Sequence, residues 1–127
     1  MSSFSDYLEN KVLDHVFGGV AYSAPATLYL ALYTVAPTDT GGGTEVSGGS
    51  YVRESCAFTV SGNLATNTAA VEWPVATGTW GTVVAVGVFD ALTSGNLLAY
   101  GNLTSSKTIA SCDVFRIPAG DLDITLT

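Results

Sequence analysis

Few residues in this sequence are equipped to do chemistry. His15 is the single histidine among 127 residues. General acid–base or nucleophilic catalysis needs such a group held beside a nucleophile or a carboxylate. The twelve serines include no Gly-x-Ser-x-Gly elbow, and His15 reads as a surface residue near a helix end. Asp121 and Asp123 flank Leu122, so they share one strand face and invite comparison, together with Asp113, to a cation site. A hard cation wants six or more oxygens, more than this trio offers; the acids read instead as charges that keep a strand edge from pairing. Gly41-Gly42-Gly43 lacks the Gly-Lys-Ser/Thr ending of a phosphate-cradling loop. Eleven carboxylates with Trp73 and Trp80 are the raw material of a glycosidase cleft, but both tryptophans border strands, where core and contact anchors sit. Cys56 and Cys112, with one histidine, give no zinc spacing. The expectation is a protein with no catalytic residues, no metal and no cofactor.

The charge balance narrows the partners. Four Lys and Arg residues stand against eleven Asp and Glu, a net charge of −7. Phosphate backbones and anionic membranes both need clustered positive charge, so neither nucleic acid nor membrane is expected as a partner. No apolar run reaches the roughly 18 residues of a membrane span, and the acidic opening segment does not resemble a secretory leader. In a reducing compartment both cysteines stay thiols. Only 12% of residues are charged, while 47% are apolar. Abundant Gly, Ser and Thr give a surface that is cheap to desolvate, which suits broad contacts with other proteins.

The elements that must present this surface follow from periodicity. Phe4, Leu8, Val12 and Val16 recur every fourth residue, with Leu13 and Phe17 widening the stripe. Ser3 or Ser5 is placed to cap and Gly18-Gly19 to terminate, so the spacing predicts a helix over 4–17. Residues 26–35 alternate Leu28, Leu30 and Leu32 against Tyr29, Ala31 and Tyr33, a strand apolar on both faces. Residues 37–50 hold Gly, Thr and Ser with little to bury, and read as an exposed arm whose removal over 40–49 leaves the fold intact. Residues 51–60 alternate as one strand with Val52, Cys56, Phe58 and Val60 facing one way. Further strands are expected at 67–73, 82–89 and 97–103, with Gly87 marking close backbone approach or a bulge. A closing hairpin is expected at 114–117 and 122–126. Seven or eight short strands with a turn every 8–12 residues indicate one mainly β domain: an antiparallel, jelly-roll-like sandwich with a single N-terminal helix.

Ordered blocks along nearly the whole chain resemble small structural proteins of tailed bacteriophages. They are residues 3–19, residues 24–32, Trp80-Gly81-Thr82-Val83 through Val88-Phe89-Asp90-Ala91, residues 96–101, and Pro118-Ala119-Gly120-Asp121-Leu122. One departure is Cys112, where such proteins more often carry Gly before Asp113, and it bears on the turn geometry there. The resemblance implies a virion protein without catalytic residues. A short, repeat-free chain fits head decoration best: a cement protein on the outer capsid surface, partnered by the major capsid protein and by itself, as a trimer rather than a dimer. A tail, baseplate or tail-fibre component is the alternative, and a carbohydrate-binding sandwich ranks below both. The expected contact residues are Phe4, Leu8 and Val12 on the helix and Tyr29 and Tyr33 on the first strand. Thr40, Gly42, Thr44, Val46 and Tyr51, in or beside the arm, join them, as does Trp80.

Overall fold

A computed structural model describes residues 2–125. The chain forms β1 (Ser2–Phe4), α1 (Asp6–Val16), β2 (Leu28–Val35), β3 (Thr44–Glu45), β4 (Glu54–Cys56) and β5 (Phe58–Ser61). It continues through β6 (Leu64–Asn67), β7 (Val71–Glu72), β8 (Gly81–Phe89), β9 (Leu97–Ile109), β10 (Arg116–Ile117) and β11 (Asp123–Thr125). The fold is mainly β, with antiparallel pairing throughout and one helix. A six-stranded sheet runs β1-β9-β8-β2-β3, with β4 also on β2; β11-β6-β5 and β10-β7 form two smaller sheets.

The large sheet is apolar on both faces, and the two faces do different work. Leu30, Leu32, Val86, Val88 and Ala99 point into the main core, where Trp73, Phe115 and Ile117 from the smaller layer meet them. Ala31, Tyr33, Ala85, Phe89 and Leu97 form a second, smaller cluster on the opposite face. Gly87 lies on that face: a Cβ there would come within 2.9 Å of both the Tyr33 and the Leu97 side chains. The expected close approach is therefore real, and only glycine leaves room for the two side chains.

Several boundaries differ from the sequence expectation. The helix starts at Asp6, not Phe4. Ser5 is its N-cap, with Oγ accepting from Leu8 N at 3.3 Å and ψ of 161°, and that extended backbone continues back through β1. Phe4 is thus a strand residue opposite Ala99, packed against the main core. Residues 51–60 are not one strand: the chain leaves the large sheet after Cys56 and joins β6 at Phe58. The alternation is real, but Val52 and Val60 end up exposed. Among the described residues the closing hairpin is also absent, because β10 pairs with β7 and β11 with β6; Leu126, where it was expected to end, lies outside them. Cys112 takes φ of +75°, the left-handed geometry that glycine accepts without cost.

The largest departure is the arm. Residues 37–50 are surface-lying but stitched down. β3 pairs with β2, and Val46 N donates to Leu32 O at 2.9 Å with Val46 4% exposed. Gly49 O accepts from Trp80 Nε1 at 2.8 Å and from Thr77 N at 3.0 Å. Asp39 accepts from Asp6 N and from the Tyr100 hydroxyl. A segment poor in apolar side chains is held by its backbone groups instead.

Candidate functional site

The residues expected to make contacts fall into two groups. Tyr33, Val46 and Trp80 are 4%, 4% and 5% exposed, so they are spent within the fold. Tyr33 stacks on Phe89 with ring centres 6.5 Å apart. Tyr51 packs edge-on to Trp80 at 5.4 Å. Its hydroxyl accepts from Leu32 N at 2.9 Å and donates to Glu45 Oε2 at 2.7 Å. Burial, reinforced by the bond to Glu45, pushes the Tyr51 phenol well above its usual range. Phe4, Leu8, Val12 and Tyr29 are half-buried, and Thr40, Gly42 and Thr44 are exposed.

What closes over Tyr33 and Phe89 is a charged clamp not anticipated from sequence. Arg53 donates through Nε and Nη2 to the two Glu45 oxygens, both at 3.0 Å. Its Nη1 reaches Ala91 O at 3.0 Å and Ser94 O at 2.7 Å. The guanidinium spans three chain segments and lies on the Phe89 ring. Burial opposes the Arg53 charge, but the Glu45 hydrogen bonds outweigh it and hold the cation. This is a fastening, with its donors and acceptors already matched.

Exposed apolar side chains also occur singly, as at Val35, Val60 and Val75, but two surface features stand out. The first is the end of α1. No residue of this helix is fully buried: Leu8 and Val12 lean on the domain, while Leu13, Val16, Phe17 and Val20 are 56%, 61%, 81% and 55% exposed. The tip is fixed in shape despite its exposure. Gly18 N donates to Asp14 O at 3.0 Å and Val20 N to the same oxygen at 2.9 Å, with Gly19 at φ +70°. This helix-terminating turn folds Val20 back toward the last turn. Tyr22 N donates to His15 Nδ1 at 3.2 Å, so the histidine ring braces the same turn.

The second is a groove of about 630 Å³ between β9 and the strands β10 and β11. Val86, Val88, Phe115, Ile117 and Ile124 give it an apolar lining; Lys107, Arg116, Asp121 and Asp123 stand among its polar residues. It follows β9 through a stretch of irregular pairing. Beyond Gly101 the β9 edge has lost β1, and the ladder to β8 slips between Val83 and Ala85, whose partners are Lys107 and Asn102. Asp113 is not part of it; its carboxylate accepts from Ala110 N at 2.8 Å. Among the described residues no three or more His, Cys, Asp or Glu side chains are grouped as a metal site.

A family model, the podophage GP4 fiber I protein gp80, matches residues 3–125. The chain belongs to this family. It is accordingly a structural protein of a phage virion, as the sequence blocks implied. No curated protein matches the chain. Among the described residues of this fiber I family member, no helix is long and apolar enough to cross a membrane.

Proposed function

We propose that the chain is a non-catalytic subunit of a virion fibre, joined to its neighbours by apolar contacts. The match of the fiber I family over residues 3–125 carries this reading. The geometry supports it: the buried polar side chains Ser5 and Asn67 bond to backbone groups of their own domain, while several large apolar side chains, Phe17 and Val16 among them, stay exposed. A rigid apolar tip on a structural protein is a surface made to be covered. The head-decoration reading, with the major capsid protein as partner, drew on a free arm at 37–50 ordering against the shell. That segment is already ordered against its own domain, through Val46, Gly49 and Glu45, which removes one support for it.

Immunogold labelling of intact virions with antibody against this chain tests the assignment. Label along fibres is expected, and heads separated from their fibres should lack the protein. Label spread over the icosahedral shell would replace the fibre reading with head decoration.

A further inference from the structure

We infer that the cleft between the first turn of α1, the turn at 38–41 and the loop at 90–96 binds a neutral, hydroxyl-rich ligand, a hexose unit of a glycan. The inference goes beyond the fibre reading and does not depend on where in the virion the chain sits.

The cleft measures about 420 Å³, within the roughly 300–1,000 Å³ of sites that hold small ligands. Its wall contains a polar group that the fold does not use. Tyr33 lines the cleft and is 4% exposed, yet its hydroxyl bonds to no described residue. That hydroxyl is not sealed either: among the described residues, the enclosed side-chain atoms without a partner are Thr66 Oγ1 and Trp73 Nε1. The Tyr51 hydroxyl, by contrast, both accepts from Leu32 N and donates to Glu45. Buried hydroxyls are ordinarily paired in this way, so an unpaired one on a cleft wall is a donor and acceptor left for a ligand.

The rim supplies groups that complement it. Asp6 offers a carboxylate with no bond to the described residues, and Asp39 a carboxylate of which one oxygen is taken by the Tyr100 hydroxyl. Asn96 gives its side-chain N–H to Asp90 at 3.0 Å and keeps its amide oxygen for another donor. Thr40 adds an exposed hydroxyl and Tyr7 a half-buried ring. Sugar hydroxyls donate and accept alike, and the C–H face of a pyranose is apolar enough to lie on an aromatic ring.

Charge selects against other ligand classes. The two carboxylates repel an anion, in a chain of net charge −7. A cationic ligand finds the ring faces already covered by the protein's own cations: Lys11 lies 5.6 Å from the centre of the Tyr7 ring and Arg53 3.7 Å from that of Phe89. A hard metal ion wants six or more oxygens, and no group of three or more metal-binding side chains occurs among the described residues.

The walls are fixed by bonds of their own. Asp6 N donates to Asp39 O at 2.8 Å, tying the helix start to the turn, and Thr38 and Gly41 exchange backbone bonds of 2.8 and 2.9 Å. Asp90 accepts from Asn96 N at 2.8 Å, and Arg53 holds Ser94 O at 2.7 Å. A cleft preformed in this way loses little ordering entropy when it is filled.

Amide chemical-shift mapping on the full chain tests this. The probes are the methyl glycosides of glucose, galactose, mannose and rhamnose at millimolar concentration, with choline chloride and sodium acetate as the cationic and anionic counterparts. At least one glycoside should shift the amides of Asp6, Tyr7, Gly41, Gly42 and Asn96 saturably. Tyr33→Phe removes a hydroxyl that bonds to nothing in the domain, so it should keep the circular dichroism and Tm of the parent and weaken binding about five- to ten-fold. Asp6→Ala, which removes a carboxylate equally unused by the fold, should weaken it at least about ten-fold. Four glycosides that leave these amides unmoved overturn the inference. So does binding that neither variant weakens, and so do shifts at these amides produced by choline or acetate but by no glycoside.

Discussion

The guanidinium carbon of Arg53 lies 3.7 Å from the centre of the Phe89 ring. The stacked cation is also the lid of the second apolar cluster, because the Arg53 side chain, 8% exposed, seals the face on which Tyr33 stacks against Phe89. Its partner Glu45 is 26% exposed, so the pair sits at the edge of solvent and the attraction is only partly screened.

Arg53→Ala should therefore cost about 2–3 kcal/mol, below the roughly 3–5 kcal/mol for breaking a fully buried pair. The loss comprises the stack on Phe89, the fork to Glu45 and the bonds to two loop carbonyls. Arg53→Lys keeps the charge but not the planar fork, and should recover less than half of the deficit. Urea unfolding followed by tryptophan fluorescence measures both. An alanine variant within about 0.5 kcal/mol of the parent, the range of ordinary surface changes, would show that the clamp fastens nothing.

The clamp also shows where sequence reading stopped. The strand β8 was legible because residues 82–89 are apolar on both faces, a pattern with one interpretation. Trp80 was legible as a strand-bordering core or contact anchor and Tyr33 as part of an apolar strand face, but that face of Tyr33 was expected to meet a neighbour rather than to be buried within the domain. What covers Tyr33 is an arginine from residue 53, held in place by Glu45 and by carbonyls at 91 and 94. That convergence depends on tertiary placement of three loops, which no periodicity encodes. Phe4 failed for a different reason: its i+4 spacing to Leu8 continues the stripe, yet Ser5 caps at the next position and the residue before a cap is already extended. The outward side of α1 was visible in Leu13 and Phe17; that it stays uncovered was not.

Cys112 is the clearest case of a residue at odds with its backbone. Its φ of +75° is left-handed, and holding a side chain there costs roughly 1–2 kcal/mol. The turn is nonetheless kept by Cys112 N donating to Ala76 O at 2.7 Å and Asp113 N to Ala110 O at 3.0 Å. Cys112→Gly should stabilise the protein by about 1 kcal/mol and raise the melting temperature by about 4 °C. Cys112→Ala should not, since alanine keeps the Cβ. A scanning calorimetry comparison of the two separates backbone relief from mere loss of a thiol.

Thiol reactivity should split between the two cysteines. Cys56 is buried, and burial pushes its thiol up to about 11; Cys112 is exposed. The thiolate is the reactive form, so at neutral pH a disulfide reagent should modify one thiol of the folded protein quickly. The second should react only at the rate of unfolding. Rapid modification of both would mean that the Cys56 strand opens far more readily than its burial implies.

Alkali should unfold the protein through its tyrosines. Burial, then Glu45, pushes Tyr33 up to about 12, and the same causes raise Tyr51 further. An unfolded tyrosine titrates near 10, so the folded state holds these protons more tightly. Their contribution to stability is complete below about pH 10 and is lost as pH rises toward 12. Unfolding free energy should thus fall across that window, while the phenolate absorbance of the buried tyrosines appears only with unfolding. Tyr33→Phe should flatten part of the decline. A parent protein equally stable at both ends of the window would remove the basis for this expectation.

Deleting residues 40–49 should destroy the fold, the reverse of what a free arm would allow. The cut removes β3 from the edge of β2 and the buried Val46. It also takes away the carboxylate of Glu45, leaving Arg53 nearly buried without its partner, and the Gly49 carbonyl that receives Trp80 Nε1. A large buried apolar side chain costs roughly 2–5 kcal/mol when truncated, and an orphaned buried charge roughly 3–5 kcal/mol. The sum approaches the whole stability of a domain this size, roughly 5–15 kcal/mol. By contrast, lengthening the turn at Gly42 by two or three glycines should be nearly silent. Gly41 and Gly42 sit at φ +98° and +77° with nothing within 4 Å of a Cβ, and extra loop length adds only a few tenths of a kcal/mol of closure entropy. Amide hydrogen exchange compares the two: the insertion should leave protection in β2 and β8 unchanged, whereas the deletion should abolish it. A deletion variant that kept full protection would return residues 40–49 to the status of a free arm.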